Sequence, residues 1–225
     1  MKNWSIPFAV LSLVGLVISG VCSADDPNDD HLSPVDRRDK ALNRYRSLLI
    51  KKLGVTPFDC GRIIDSASLG PEAVLSVWCE GNGGRQACRI TSIEALENLW
   101  QRTNSMRDPA SVEGVAIRRI DTNIPESTAK RIREIFLRML QNVRPAAPLG
   151  AELVMSGYLD FAIQRSSDSP PLEGEILLPP RGPKTQALVN ISDALWEYSK
   201  AAPANRPAVA RKIDREATAL LDQLK

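Results

Sequence analysis

Two neighbouring stretches set the fold class, because their apolar residues repeat with different periods. Ala129, Ile132, Ile135, Phe136, Met139, Leu140 and Val143 recur at three- and four-residue spacing, while Lys130, Arg131, Arg133, Glu134 and Arg138 take the rest of the surface. That stripe predicts an amphipathic helix, and Pro145 ends it. Leu153, Met155, Leu159, Phe161 and Ile163 then alternate with Ser156, Tyr158, Asp160 and Gln164, the pattern of a strand with one face buried. A chain that must bury both a helical stripe and one face of a sheet belongs to the layered α+β class.

The same two periods organise the remainder. Ala41, Leu42, Tyr45, Leu48, Leu49 and Leu53 predict a helix over 36–53, stopped by Gly54. Cys60–Ser66, Ala73–Glu80 and Arg85–Thr91 are short apolar runs separated by glycine-rich turns, which predicts a three-stranded antiparallel meander. Thr91-Ser92-Ile93-Glu94 has the spacing of a capping box, so a helix is expected to open there and run through Leu96, Leu99 and Trp100. Val112–Ile120 reads as a strand, and Glu173–Leu178 as the hairpin partner of the alternating stretch before it. Two helices close the chain, one carrying Leu188, Ile191, Leu195 and Tyr198, the other Val209, Ile213, Ala217, Leu220 and Leu224. Hairpins outnumber alternating strand–helix units. The expected architecture is a single α+β domain over 36–225, a mainly antiparallel sheet of about five to six strands covered by four to five helices. Hairpin followed by helix occurs twice, the pattern an old duplication would leave, although no residue-level repeat accompanies it.

The first 24 residues are a separate matter. Lys2 precedes an apolar run from Ile6 to Val21, and Val21-Cys22-Ser23-Ala24 places small residues before acidic Asp25-Asp26. This three-part pattern predicts a signal peptide cleaved near Ala24 and a secreted or periplasmic protein with no transmembrane anchor after cleavage. The alternatives are an uncleaved anchor and a lipid attached at Cys22, for which Val21 replaces the expected small residue. Residues 25–35 are rich in Asp and Pro without apolar periodicity, so a disordered acidic leader is expected there.

Charge narrows the partners. The chain carries 29 basic and 27 acidic side chains, a balance unlike the basic excess of nucleic-acid binders, so no nucleic acid is expected. An envelope or extracellular protein or polymer is the expected partner class.

Export sets an oxidising compartment, in which Cys60, Cys79 and Cys88 read as structural. A hairpin turning at Leu69-Gly70 sets Cys60 opposite Cys79, the expected disulfide, with Cys88 as the alternative partner. No C-x-x-C pair occurs, so no metal and no cofactor is expected. His31 is the only histidine and falls in the expected disordered leader, which sets aside triad, HExxH and histidine-ligated zinc chemistry.

Ser127-Thr128-Ala129-Lys130 matches S-x-x-K at a helix start, making Ser127 a candidate nucleophile and Lys130 its base. No S-D-N or K-T-G element follows, and a first-turn serine is ordinarily a good helix start. Asp121, Asp160, Glu173 and Glu175 lie on or beside predicted strands. A facing pair in a cleft would support acid–base hydrolysis, whereas ordinary alternation puts them on the solvent face. Arg118, Arg119, Lys130, Arg131, Arg133, Arg138 and Arg144 cluster in sequence. With Arg85 and Arg181 in the loops Gly81–Arg85 and Pro179–Pro183, Arg118 and Arg131 are the binding candidates, loops on a rigid sheet being where binding concentrates. The expected function is a non-enzymatic exported binding domain; the alternative is a carboxylate-dependent hydrolase acting on envelope or extracellular polymers.

Overall fold

The structure, a computed structural model, describes residues 30–54, 56–67, 70–81, 86–103, 107–145, 157–166 and 168–225. Residues 1–29, with the expected signal peptide, lie outside them. The element order is α1 (Lys40–Leu53), β1 (Gly61–Ala67), β2 (Ala73–Glu80), β3 (Ala87–Ala95), α2 (Leu99–Arg102), β4 (Ile117–Ile124), α3 (Glu126–Gln141), β5 (Gly157–Ile163), β6 (Leu172–Leu177), α4 (Pro183–Lys200) and α5 (Arg206–Gln223). The strands form one six-stranded sheet in the order β4-β3-β2-β1-β5-β6, antiparallel throughout. This is the single α+β domain that the two periodicities predict.

Alternation along the strands gives the sheet two faces. Ile63, Leu75, Val77, Ile90, Leu159, Phe161 and Ile176 point to one side and are covered by α3, α4 and α5, forming the larger core. The stripe of α3 supplies Ile132, Ile135, Phe136 and Met139 to it, and Phe136 meets Phe161 edge to face at 5.6 Å. Burying each such side chain contributes ~1.5–3 kcal/mol. On the opposite side α1 lays Tyr45, Leu49 and Leu53 over Ile64, Val74, Ile93 and Ala95. Glu72, fully buried, joins this layer to α2: it accepts from the Tyr45 hydroxyl and from the amides of Leu99, at 2.6 Å, and Trp100, at 3.0 Å. Among the described residues no helix is long and apolar enough to cross a membrane.

Two expectations are corrected here. The capping-box letters Thr91-Ser92-Ile93-Glu94 lie inside β3, which runs on to Ala95, and α2 is a single turn capped by Asn98. β3 is flanked by β2 and β4, so the Thr91 hydroxyl finds its partners in the sheet rather than at a helix start: Thr91 Oγ1 accepts from Trp78 Nε1 and donates to Asp121 at 2.6 Å.

The acidic leader is the second. From Asp30 onward it is packed. Leu32 is fully buried in the larger core, Ser33 exchanges both backbone hydrogen bonds with Glu175 on β6, and the Arg144 amide donates to the Leu32 carbonyl. The Asp30 carboxylate accepts from the amides of Lys184 and Thr185, capping α4 from outside that helix, and Asp39 caps α1 through the amides of Ala41 and Leu42. One buried leucine and well-placed acids suffice to dock a segment whose composition suggests no order.

Candidate functional site

The packed N-terminal segment runs across the end of the sheet formed by β5 and β6, on the face that α1 leaves partly open. Two adjoining cavities lie beneath it. The larger, about 710 Å³, is a groove between residues 31–39, β6 and the start of α4, with Leu42, Tyr158, Glu175, Ile176, Leu177, Arg181 and Thr185 in its lining. The smaller, about 130 Å³, lies farther along β5 and is lined by Arg46, Arg62, Asp160 and Glu173. Val35 and Arg37 border both.

Between them sits a buried charge cluster. Asp160 on β5 and Glu175 on β6 are direct cross-strand partners, only 7% and 8% exposed. Arg46 reaches down from α1 and grips Asp160 with two hydrogen bonds, Nε to Oδ2 at 3.1 Å and Nη2 to Oδ1 at 3.2 Å. Nη2 also donates to Glu175, and Nη1 to the Asp36 carbonyl at 3.1 Å. Fork geometry of this kind is specific to the planar guanidinium. Burial pushes both carboxyls above their ordinary values, and Arg46 only partly counteracts it. That is the expected direction when two acids share one cation out of water.

The neighbours complete the charge balance. Arg37 pairs with Glu173 at the rim. Arg62, buried, lies over the Phe58 ring at 4.0 Å, and burial pulls its guanidinium below the ordinary value while Glu173 and Asp160 oppose that. Among the described residues its Nε has no hydrogen-bond partner. Burial also raises the Tyr158 phenol at the groove wall.

The sequence candidates are therefore distributed unevenly. Asp160 and Glu175 do not lie on a solvent face; the N-terminal segment and α1 cover them. Asp121 is exposed, held by Arg119 at 2.9 Å. His31 belongs to the packed segment, half-buried with Nδ1 3.0 Å from the Leu32 carbonyl, and lines the groove, which corrects the premise that the folded part holds no imidazole. Ser127 and Lys130 are exposed on α3, Lys130 Nζ lying 2.6 Å from Glu126, and neither lines either cavity. Arg118 pairs with Glu94, and Arg131 binds Asp214 of α5 at 2.8 Å. Of the three described arginine candidates Arg181 alone borders the groove, and Arg85 lies outside the described residues. Arg46 was missed, since one arginine among the polar positions of a helix carries no mark of its partners.

The expected Cys60–Cys79 bridge is also corrected. Cys79 and Cys88 are direct cross-strand partners on β2 and β3 and form the disulfide, Cα to Cα 4.0 Å. Gly61 pairs with Val77, so the register sets Cys60 beside Trp78, one residue from the expected position, and leaves it a buried thiol. Compared with known proteins, the chain matches no family model, no curated protein and no solved structure.

Proposed function

We propose that the protein is an exported, non-enzymatic binding domain whose ligand occupies the groove between residues 31–39, β6 and the start of α4. The groove itself carries the reading. Its volume, about 710 Å³, falls in the range of small-molecule sites, and it combines an apolar floor with a few convergent polar groups. Leu42 and Leu177 contribute its apolar lining, and His31, Arg38 and Arg181 line it as well. Of the acids in the lining, Asp36 is paired with Arg38, Asp39 caps α1 and Glu175 is held by Arg46, so the reading is a ligand with an apolar body and an anionic group. Export is supported by the three-part N-terminal pattern, and the Cys79–Cys88 disulfide is compatible with it.

The second reading, carboxylate-dependent hydrolysis, is favoured by Glu175, which lines the groove across from Asp160 with its carboxyl held above the ordinary range. Against it, the Arg46 guanidinium occupies oxygens of both acids, so neither faces the other across free space as a catalytic pair requires.

Titration with 8-anilinonaphthalene-1-sulfonate, an apolar aromatic sulfonate, tests the binding reading. One dye per chain is expected to bind with enhanced fluorescence, at least about tenfold more weakly in Leu177→Asp, a loss of ~1.4 kcal/mol. Equal binding by the two proteins would overturn the groove assignment. Hydrolysis of 4-nitrophenyl glycosides or esters by the wild type but not by Glu175→Gln would establish the enzyme instead.

A further inference from the structure

The three described cysteines converge on one point of the larger core. Cys79 and Cys88 are bonded, and the Cys60 sulfur lies 3.6 Å from that of Cys79. This approach is built by the backbone. In an unbroken strand Cys60 would share the α1 face with Arg62 and Ile64, but Gly61 takes φ +143°, and Cys60 packs into the opposite core with Cys79 and Cys88. That conformation is open to glycine and strained for other residues, and a Cβ at position 61 would stand 2.8 Å from the Phe136 ring. Asp59 fixes the neighbourhood, accepting from the Cys79 amide at 3.1 Å while its other oxygen lies 3.6 Å from the Cys60 sulfur.

We propose that Cys79 is the shared sulfur of an internal thiol–disulfide exchange site, through which the cross-link passes between Cys79–Cys88 and Cys60–Cys79. Cys60 loses its proton to solvent hydroxide and, as thiolate, forms a bond to the Cys79 sulfur. The Cys79–Cys88 bond breaks, its electron pair leaves with the Cys88 sulfur, and that thiolate takes a proton from water. One disulfide and one thiol stand on each side, so no outside oxidant or reductant is required. The cross-link then ties the residue before β1 to β2 in place of β2 to β3, with sequence separations of 19 and 9 residues. Closure entropy differs little between such loops, so chain entropy does not forbid either isomer.

The site is slow at rest. Burial first, then Asp59, pushes the Cys60 thiol up to about 12, and only the thiolate attacks. Below that value the exchange rate rises about tenfold per pH unit.

Purified non-reduced protein, incubated without redox reagents near pH 7.5 and near pH 9.5, then acid-quenched, unfolded and labelled with N-ethylmaleimide, tests this by peptide mapping. Label is expected on Cys60 at first and on both Cys60 and Cys88 with time, faster at the higher pH and independent of protein concentration. Cys88→Ser is expected to yield a Cys60–Cys79 disulfide. Label confined to Cys60 in the folded wild type, or transfer that depends on protein concentration, would overturn the proposal.

Discussion

Asp160 and Glu175 stand opposite each other on neighbouring strands, and the single guanidinium of Arg46 hydrogen-bonds both. The arrangement fastens three parts of the chain at one point: the sheet edge, α1 and, through the Asp36 carbonyl, the N-terminal segment that walls the groove.

Arg46→Met is therefore expected to destabilise the domain by ~3–5 kcal/mol at neutral pH, because two acids remain buried without their cation. The effect depends on pH. Both carboxyls are raised in the folded state, so the stability they contribute is fully present below the unfolded carboxylate values and is lost as pH rises through the folded ones. Removing Arg46 removes the main influence that lowers them, and the loss with rising pH steepens. Urea unfolding of both proteins from about pH 4 to about pH 8 checks this; parallel stability curves would contradict it.

The N-terminal segment is part of the core. Leu32→Ala is expected to cost ~2–5 kcal/mol, as for other fully buried leucines, and Asp30→Ala ~0.5–2 kcal/mol through the lost cap on α4. Thermal unfolding measures both. Unchanged midpoints would mean that the segment is not docked on β6 and α4.

Gly61→Ala is expected to destabilise by ~1–3 kcal/mol, the usual cost of a side chain in a disfavoured backbone region, with the Phe136 ring adding steric conflict. Equilibrium urea unfolding against wild type gives the number. A neutral outcome would show that the strand relaxes, and Cys60 would then lose its fixed approach to Cys79.

The layer architecture was legible because periodicity reports directly which positions share a face. The stripe from Ala129 to Leu140 and the alternation from Tyr158 to Ile163 both appear where their spacing puts them, Val143 lying beyond the helix end and Leu153, Met155 and Ser156 outside the described residues. The buried acids were not legible for a related reason. Alternation separates Asp160 from Phe161 but does not say that a second layer covers the polar side, and that layer comes from α1 and a ten-residue segment with one leucine. The cysteine pairing turned on a single residue of register, which the turn letters Leu69-Gly70 do not fix. Thr91 to Glu94 carry the letters of a helix cap, yet a strand between two neighbours satisfies the hydroxyl of Thr91, the would-be cap. His31 and Arg181 reach the groove only through packing of segments distant in sequence.

The groove under residues 31–39 is the proposed seat of the ligand. Amide chemical shifts of ¹⁵N-labelled protein, followed while 8-anilinonaphthalene-1-sulfonate is added, test it most directly. Shifts are expected to concentrate at Ser33–Asp39, Glu175–Leu177 and Arg181–Thr185, with α5 unmoved. Shifts centred on β4 or α5, or none, would contradict it.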